Sequence, residues 1–125
     1  MVDLCSAFGD YTCVNTGEVK LVKNQKLSTS FLNTCCALGF NVDEYKFLAH
    51  IDDFTSNMFN KTIDKLNIIK DKFNKINKVE IWIGEACTIN TCDSLKIVQK
   101  ILIFMKIDKD KIKYYEDNND IIIIG

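Results

Sequence analysis

The sequence contains no arginine and no proline, and it has a single histidine and a single tryptophan. Its 16 basic residues are therefore all lysine, and 17 acidic residues bring the net charge to -1 at pH 7. Without arginine the chain lacks the planar guanidinium that binds phosphate in a bidentate manner. Without an excess of positive charge it also lacks the electrostatic footprint of a nucleic-acid-binding protein. We therefore predict that nucleic acid is not a partner.

Long apolar runs are missing too. The longest uninterrupted ones, such as residues 101–105 and 121–124, fall far short of the ~20 residues that a membrane-spanning helix needs. The amino terminus has no basic stretch followed by an apolar core, so we expect no secretory signal and no membrane association. These absences predict a cytoplasmic protein. The small size and the excess of isoleucine, asparagine and lysine, typical of an AT-rich genome, also fit an effector delivered into a host cell.

The length of 125 residues, with 47% hydrophobic and 26% charged residues, is that of one globular domain spanning residues 1–125. Short alternating stretches predict strands before residue 24, around the polar turn 41–44, and at 79–83. Apolar residues spaced by three and four predict a long helix from Phe54 to Ile76 and a second helix that begins near Asp93. The segments 113–116 and 121–124 resemble a closing hairpin. This order predicts an α+β fold in which mostly antiparallel sheets are backed by two helices.

The long helix is expected to turn an apolar face toward the sheet, formed by Met58, Leu66, Ile69 and Phe73. The second helix carries a similar face, and Asp93 or Ser94 can cap its start. Its apolar positions are Leu95, Val98, Leu102 and Met105. No internal repeat or linker interrupts this pattern.

Six cysteines, at positions 5, 13, 35, 36, 87 and 92, make up about 5% of the chain, below the ~8–10% that marks a disulfide scaffold. We therefore expect mostly free thiols. A zinc site is the alternative for Cys87 and Cys92, but no histidine pair or second close cysteine pair follows them. The prediction is accordingly that the protein has no metal and no cofactor.

The single histidine, His50, follows an apolar strand segment, and Cys35 lies in an apolar segment upstream of it. If the two segments pair as antiparallel strands, a thiol nucleophile and an imidazole base can meet, and the pKa of the thiol should lie below the ~8.5 of a free cysteine. The competing interpretation is structural. Cysteine is among the most buried residue types, and a histidine at a strand end often only bonds to a backbone carbonyl.

Three features of the chain resemble the CheD chemoreceptor glutamine deamidases: Gly17-Glu18 before a short strand, Thr29 six residues before Cys35, and Ala49-His50 after a loop. The dipeptide Thr34-Cys35 and the segment 49–52 are also similar to the protein N-terminal asparagine amidohydrolases. The resemblance covers residues 17–53, about a third of the chain. The Gly- and Arg-rich segment that the deamidases carry further along is missing here.

This resemblance implies a CheD-like fold and a cysteine-dependent deamidase acting on glutamine or asparagine side chains of a protein substrate through a thioester. Cys35 would be the nucleophile, His50 the general base and then acid, and Thr29 the hydroxyl that supports His50. The Thr29 spacing and the Thr34-Cys35 dipeptide favour Cys35 over Cys36. The alternatives are a non-catalytic interaction module of the same fold and a small zinc-stabilised binding domain.

Overall fold

The computed structural model describes residues 11–30, 34–87, 92–118 and 122–124. Its strands, numbered in chain order, are β1 (Tyr11–Cys13), β2 (Val19–Lys23), β3 (Lys26–Thr29), β4 (Cys36–Val42), β5 (Tyr45–Ile51), β6 (Val79–Gly84), β7 (Ile112–Asn118) and β8 (Ile122–Ile124). Its α-helices are α1 (Met58–Leu66) and α2 (Asp93–Met105), and 3-10 helices span Asn67–Lys75 and Lys109–Lys111. The predicted strands before residue 11 lie outside the described residues.

The strands form two sheets. The larger one has the order β2-β5-β4-β6-β7, in which β6 and β7 are parallel and the other neighbours are antiparallel. The smaller one has the order β1-β3-β8, with β1 and β3 parallel and β3 and β8 antiparallel. The predicted α+β class, with a mostly antiparallel sheet and two helices, is confirmed.

Strands β4 and β5 form a hairpin at the centre of the larger sheet. The register runs from Val42 opposite Tyr45 to Cys36 opposite Ile51, so a two-residue turn joins the strands. Asp43 in this turn has a φ of 52°, a left-handed conformation that aspartate tolerates better than most residues. The polar turn predicted at 41–44 is therefore present, although Asn41 and Val42 still belong to β4 and the turn itself is residues 43–44.

Both faces of the larger sheet are covered. On one face, alternate residues of β4, β5 and β6 pack with α1 and α2 in the main hydrophobic core. On the other face lies a smaller cluster made by Val14, Leu27, Cys35, Ala37, Leu48 and Trp82. Because the side-chain period of a strand is two, neighbouring residues of β4 belong to different layers. We call these the helix face and the small-sheet face.

The helix predicted over 54–76 is shorter than expected. α1 begins at Met58 and ends at Leu66, and the chain continues as 3-10 helix interrupted at Ile69, whose φ of -118° is not helical. Met58, Leu66 and Ile69 are buried as predicted, whereas Phe54 is 73% exposed. Phe73 is only partly buried and packs edge-on against Phe104 of α2, 6.3 Å between ring centroids. The interruption turns the last part of the segment toward α2.

α2 matches its prediction closely. Leu95, Val98, Leu102 and Met105 are all buried on one face. The N-cap is Cys92 rather than Asp93 or Ser94, and no side chain caps it. None of the helices in the described part of the chain is both long and apolar enough to cross a membrane.

The closing hairpin predicted from residues 113–124 is wrong. β7 pairs in parallel with β6 at the edge of the larger sheet, while β8 pairs with β3 in the smaller sheet. Alternation along a strand does not identify the strand's partner. The two segments therefore belong to different sheets, β7 to the larger and β8 to the smaller.

Candidate active site

Thr29 and His50 lie in contact between the two sheets. Thr29 ends β3, His50 is in β5, and the distance from Thr29 Oγ1 to His50 Nδ1 is 2.7 Å. Thr29 Oγ1 also lies 2.7 Å from the backbone oxygen of Val14 and donates to it. A hydroxyl has a single proton, so for both contacts to be hydrogen bonds the imidazole must donate from Nδ1. This chain of contacts assigns the Nδ1–H tautomer to neutral His50.

The lone pair of the neutral imidazole is consequently on Nε2. That atom is buried and has no hydrogen-bond partner among the described residues. An unpaired buried polar atom costs roughly 1–3 kcal/mol, and such atoms are uncommon enough to need an explanation. A proton-accepting role is one explanation that chemistry supplies.

His50 is only 1% exposed, and its burial lowers the pKa of the imidazole below the usual 6.5. The negative charge of Asp52 acts in the opposite direction and raises that pKa. At neutral pH the ring is therefore uncharged and able to accept a proton, while a nearby carboxylate stabilises the charge once the proton has arrived.

The thiol of Cys35 lies on the same face of the larger sheet as His50. Ala37 is directly opposite His50 in the β4–β5 register, and Cys35 precedes Ala37 by two residues. The Cys35 side chain accordingly packs in the small-sheet-face cluster with Ala37, Leu48 and Trp82. Diagonal neighbours of this kind have β-carbons roughly 7 Å apart. The topology thus brings all three predicted site residues to one face.

Cys35 and His50 are not hydrogen-bonded in this arrangement, since Nε2 has no partner within the described structure. The pKa of the Cys35 thiol is raised to about 11, mainly by burial and also by the negative charge of Asp52. A hydrogen bond with the Thr34 hydroxyl acts in the opposite direction and lowers this pKa. The expected lowering of this pKa is wrong here, because no positive charge compensates the burial. The nucleophile candidate is a neutral thiol beside a neutral base.

Cys36 points the other way. It belongs to the helix-face core, is fully buried, and burial raises the pKa of its thiol to about 12. Of the two adjacent thiols, Cys35 is therefore the one that packs on the same sheet face as His50.

Asp52 is a residue that the sequence analysis did not place in the site. It is 1% exposed, and its carboxylate accepts hydrogen bonds from the backbone N–H and the hydroxyl of Thr55, at 2.9 and 2.6 Å. Gly17 lies against this pair with a φ of 77°, and a β-carbon there would clash with the Thr55 hydroxyl. The signal in the sequence is the spacing, because Asp52 follows His50 by two residues, the period at which side chains of a strand return to one face.

Trp82 lies across β4 from His50, since the register aligns His50, Ala37 and Trp82 on three adjacent strands. The indole is 8% exposed and stacks on Tyr115 with 5.7 Å between ring centroids. The smallest side chain of the row therefore separates the imidazole from an aromatic pair.

The expectation of mostly free thiols is wrong for part of the chain. Cys35 and Cys36 are free, whereas Cys13 is disulfide-bonded and Cys87 is bonded to Cys92. The α-carbons of the latter pair are 5.1 Å apart, within the range that a disulfide requires. A separation of five residues along the chain is enough to allow this bond.

Comparisons with known proteins show a likeness in structure but not in sequence family. No protein-family model matches the sequence, and no curated protein matches it. The C-terminal domain of CNFy from Yersinia pseudotuberculosis is similar in structure, with a TM-score of 0.47 and 12% sequence identity. The alignment covers 90% of this chain and 51% of that one, so this chain spans about half the length of its structural neighbour.

Proposed function

We propose that this protein is a cysteine-dependent amidohydrolase that converts a glutamine or asparagine side chain of a protein substrate to the carboxylate. The observation that carries the proposal is the state of His50. Its Nδ1 is held by Thr29, and its Nε2 is buried, unpaired and on the same sheet face as the Cys35 thiol. A site with this arrangement has a base ready to accept a proton next to a nucleophile.

The first half of the reaction is acylation by general-base catalysis. His50 Nε2 takes the thiol proton as the Cys35 sulfur attacks the carboxamide carbon, and the new C–S bond gives a tetrahedral intermediate. The imidazolium then returns the proton to the departing nitrogen, the C–N bond breaks, and ammonia leaves. A neutral thiol and a neutral imidazole suit this route better than a preformed ion pair. The route requires the Cys35 side chain to rotate until its sulfur reaches Nε2.

The second half restores the enzyme. Water, deprotonated by His50, attacks the thioester carbon; the C–S bond breaks and the thiol regains its proton. Thr29 and Asp52 support both halves without touching the substrate, because Thr29 fixes the tautomer and the charge of Asp52 favours the imidazolium. They are positioning residues in this scheme.

The test is mass spectrometry of proteins from a cell lysate incubated with the enzyme in heavy-oxygen water. Conversion raises the mass of a substrate peptide, and the new carboxylate takes one oxygen from the water. We expect Cys35→Ala to abolish conversion, and Cys36→Ala, its neighbour on the other face, to retain it. His50→Ala should lose about 10²–10⁴-fold in rate, the usual contribution of general acid–base catalysis.

Two further variants separate chemistry from folding. Thr29→Val should slow the reaction less than His50→Ala does, and Thr29→Ser, which keeps the hydroxyl, should restore most of the rate. Equal conversion by wild type and Cys35→Ala would overturn the proposal and favour the non-catalytic interaction module.

A further inference from the structure

A cluster of three sulfur atoms lies on the helix face, away from His50. The Sγ atoms of Cys36, Cys87 and Cys92 all lie within 4.8 Å of one another, and Cys36 Sγ is 3.9 Å from Cys87 Sγ. Cys87 and Cys92 are joined as a disulfide, whereas Cys36 is a free thiol. The proposed deamidase chemistry uses none of these three residues.

Three separate elements hold the cluster. Cys36 begins β4 opposite Ile83 of β6, which brings it to the point where β6 ends. The chain then turns through a hydrogen bond from the Cys87 N–H to the Gly84 oxygen, at 2.9 Å. Cys92 is the N-cap of α2. The sulfur atoms are therefore positioned by the fold and not by the disulfide alone.

The start of α2 is itself tied to the start of β4. The Ser94 hydroxyl donates to the backbone oxygen of Thr34 at 2.6 Å, and the Cys92 sulfur lies 3.6 Å from the same oxygen. The Ser94 hydrogen bond does not involve the disulfide. The three sulfurs should therefore stay close when the disulfide is opened.

We propose that reduction of the Cys87–Cys92 disulfide converts this cluster into a Zn²⁺ site with three thiolate ligands. A dithiol reductant supplies two electrons and two protons, so that the S–S bond becomes two thiols and the reductant becomes a disulfide. Zn²⁺ then displaces the protons of Cys36, Cys87 and Cys92 as the three Zn–S bonds form. Cys92 is partly exposed, so the ion can enter from this side of the cluster. Water can then occupy the fourth coordination position of the Zn²⁺.

Geometry and ligand chemistry both favour zinc. Tetrahedral zinc has Zn–S bonds of about 2.3 Å, which places its sulfur ligands about 3.8 Å apart. Cys36 and Cys87 are already at 3.9 Å. Thiolates select soft or borderline ions such as Zn²⁺ over the hard cations that prefer oxygen. In the sequence, Cys87 and Cys92 have no third cysteine or histidine ligand nearby. The pairing of β4 with β6 supplies Cys36 as the third ligand.

The experiment uses the full chain, reduced under anaerobic conditions, and two probes. Zn²⁺ is titrated in competition with a chromophoric chelator, and Co²⁺ reports sulfur ligation through its charge-transfer absorption. We expect the reduced protein to bind one ion and the oxidised protein none. Cys36→Ser should bind at least about 100-fold more weakly, since loss of even an outer partner of a metal ligand costs 10–100-fold.

Cys35→Ser is the matched control, because Cys35 is next to Cys36 in the sequence but packs on the opposite face of the sheet. This variant should bind zinc like the wild type. Cys92→Ser provides a second ligand variant at a partly exposed position and should also weaken binding. Equal affinities for Cys36→Ser and Cys35→Ser, or no difference between reduced and oxidised wild type, would overturn the site. These readouts do not depend on amidohydrolase activity.

Discussion

His50 stays neutral in the folded protein because burial disfavours the imidazolium more than the Asp52 carboxylate favours it. A histidine whose pKa is lowered by folding binds its proton more readily in the unfolded chain. The contribution of His50 to the free energy of unfolding should therefore be fully present above about pH 6.5, the pKa of histidine in the unfolded chain. It should be lost as the pH falls toward the lower pKa of His50 in the folded protein. Deamidation should decline at still lower pH, as the pH falls through the folded pKa of His50 and the proposed base becomes protonated.

The measurement is the free energy of urea unfolding at pH 7.5 and pH 5. His50→Asn is the control, because its amide does not titrate and can still donate toward Thr29. We expect the wild type to lose more stability on acidification than His50→Asn. Parallel losses in the two proteins would show that His50 is not the group responsible.

At this scale the possible pairing of two apolar strands suggested Cys35 beside His50, and the resemblance suggested Thr29 as the support of His50. Thr29, Cys35 and His50 are far apart along the chain, and only strand register shows that they share a face. The direction of the Cys35 pKa depends on burial and on Asp52, which composition does not reveal. The sequence could not show that Cys36 belongs to the sulfur cluster for the same reason, since Cys36 contacts Cys87 only through the pairing of strands in the sheet.

α1 and α2 differ in how far their patterns predict them. The spacing of apolar residues predicted α2 because the whole helix lies against the sheet and every apolar position of one stripe is used. The same spacing continued past Leu66, where the backbone turns at Ile69 to pack the next segment near α2. Periodicity reports which residues are buried but not whether one straight helix buries them.

Burial along this segment gives a paired prediction. Leu66 is fully buried in the helix-face core, and Ile68, two residues on, is 61% exposed. Leu66→Ala should cost about 2–5 kcal/mol of unfolding free energy, because it removes core contacts and leaves a cavity. Ile68→Ala should change stability by no more than about 0.5 kcal/mol. Chemical denaturation measures both, and similar losses would mean that the segment packs by another face.

The whole molecule depends on a link between its two sheets. β8 pairs with β3, with Thr29 opposite Ile122, so the last described strand flanks the strand that holds Thr29 against His50. The contacts from the Val14 oxygen through Thr29 to His50 therefore cross the interface between the two sheets. Their alignment depends on the stability of the smaller sheet.

Removal of residues 119–125 tests this dependence. The amides of β3 should exchange with solvent about tenfold faster or more relative to those of β4, because each lost backbone hydrogen bond contributes roughly 1 kcal/mol. Hydrogen exchange of Leu27 and Leu38 gives the ratio, which also corrects for any uniform loss of stability. An unchanged ratio would show that pairing with β1 and packing in the small-sheet-face cluster are sufficient to hold β3 in place.

The adjacent cysteines at the start of β4, Cys35 just before it and Cys36 as its first residue, determine how this protein would respond to a change in chain length. A single-residue insertion between Cys36 and the turn at 43–44 would move every upstream residue of the strand to the opposite face. Cys36 would then occupy the position beside His50 that Cys35 holds, and a thiol would still face the base. The helix-face position would pass to a residue without sulfur. Such an insertion would retain a thiol as the proposed nucleophile and remove the proposed third zinc ligand.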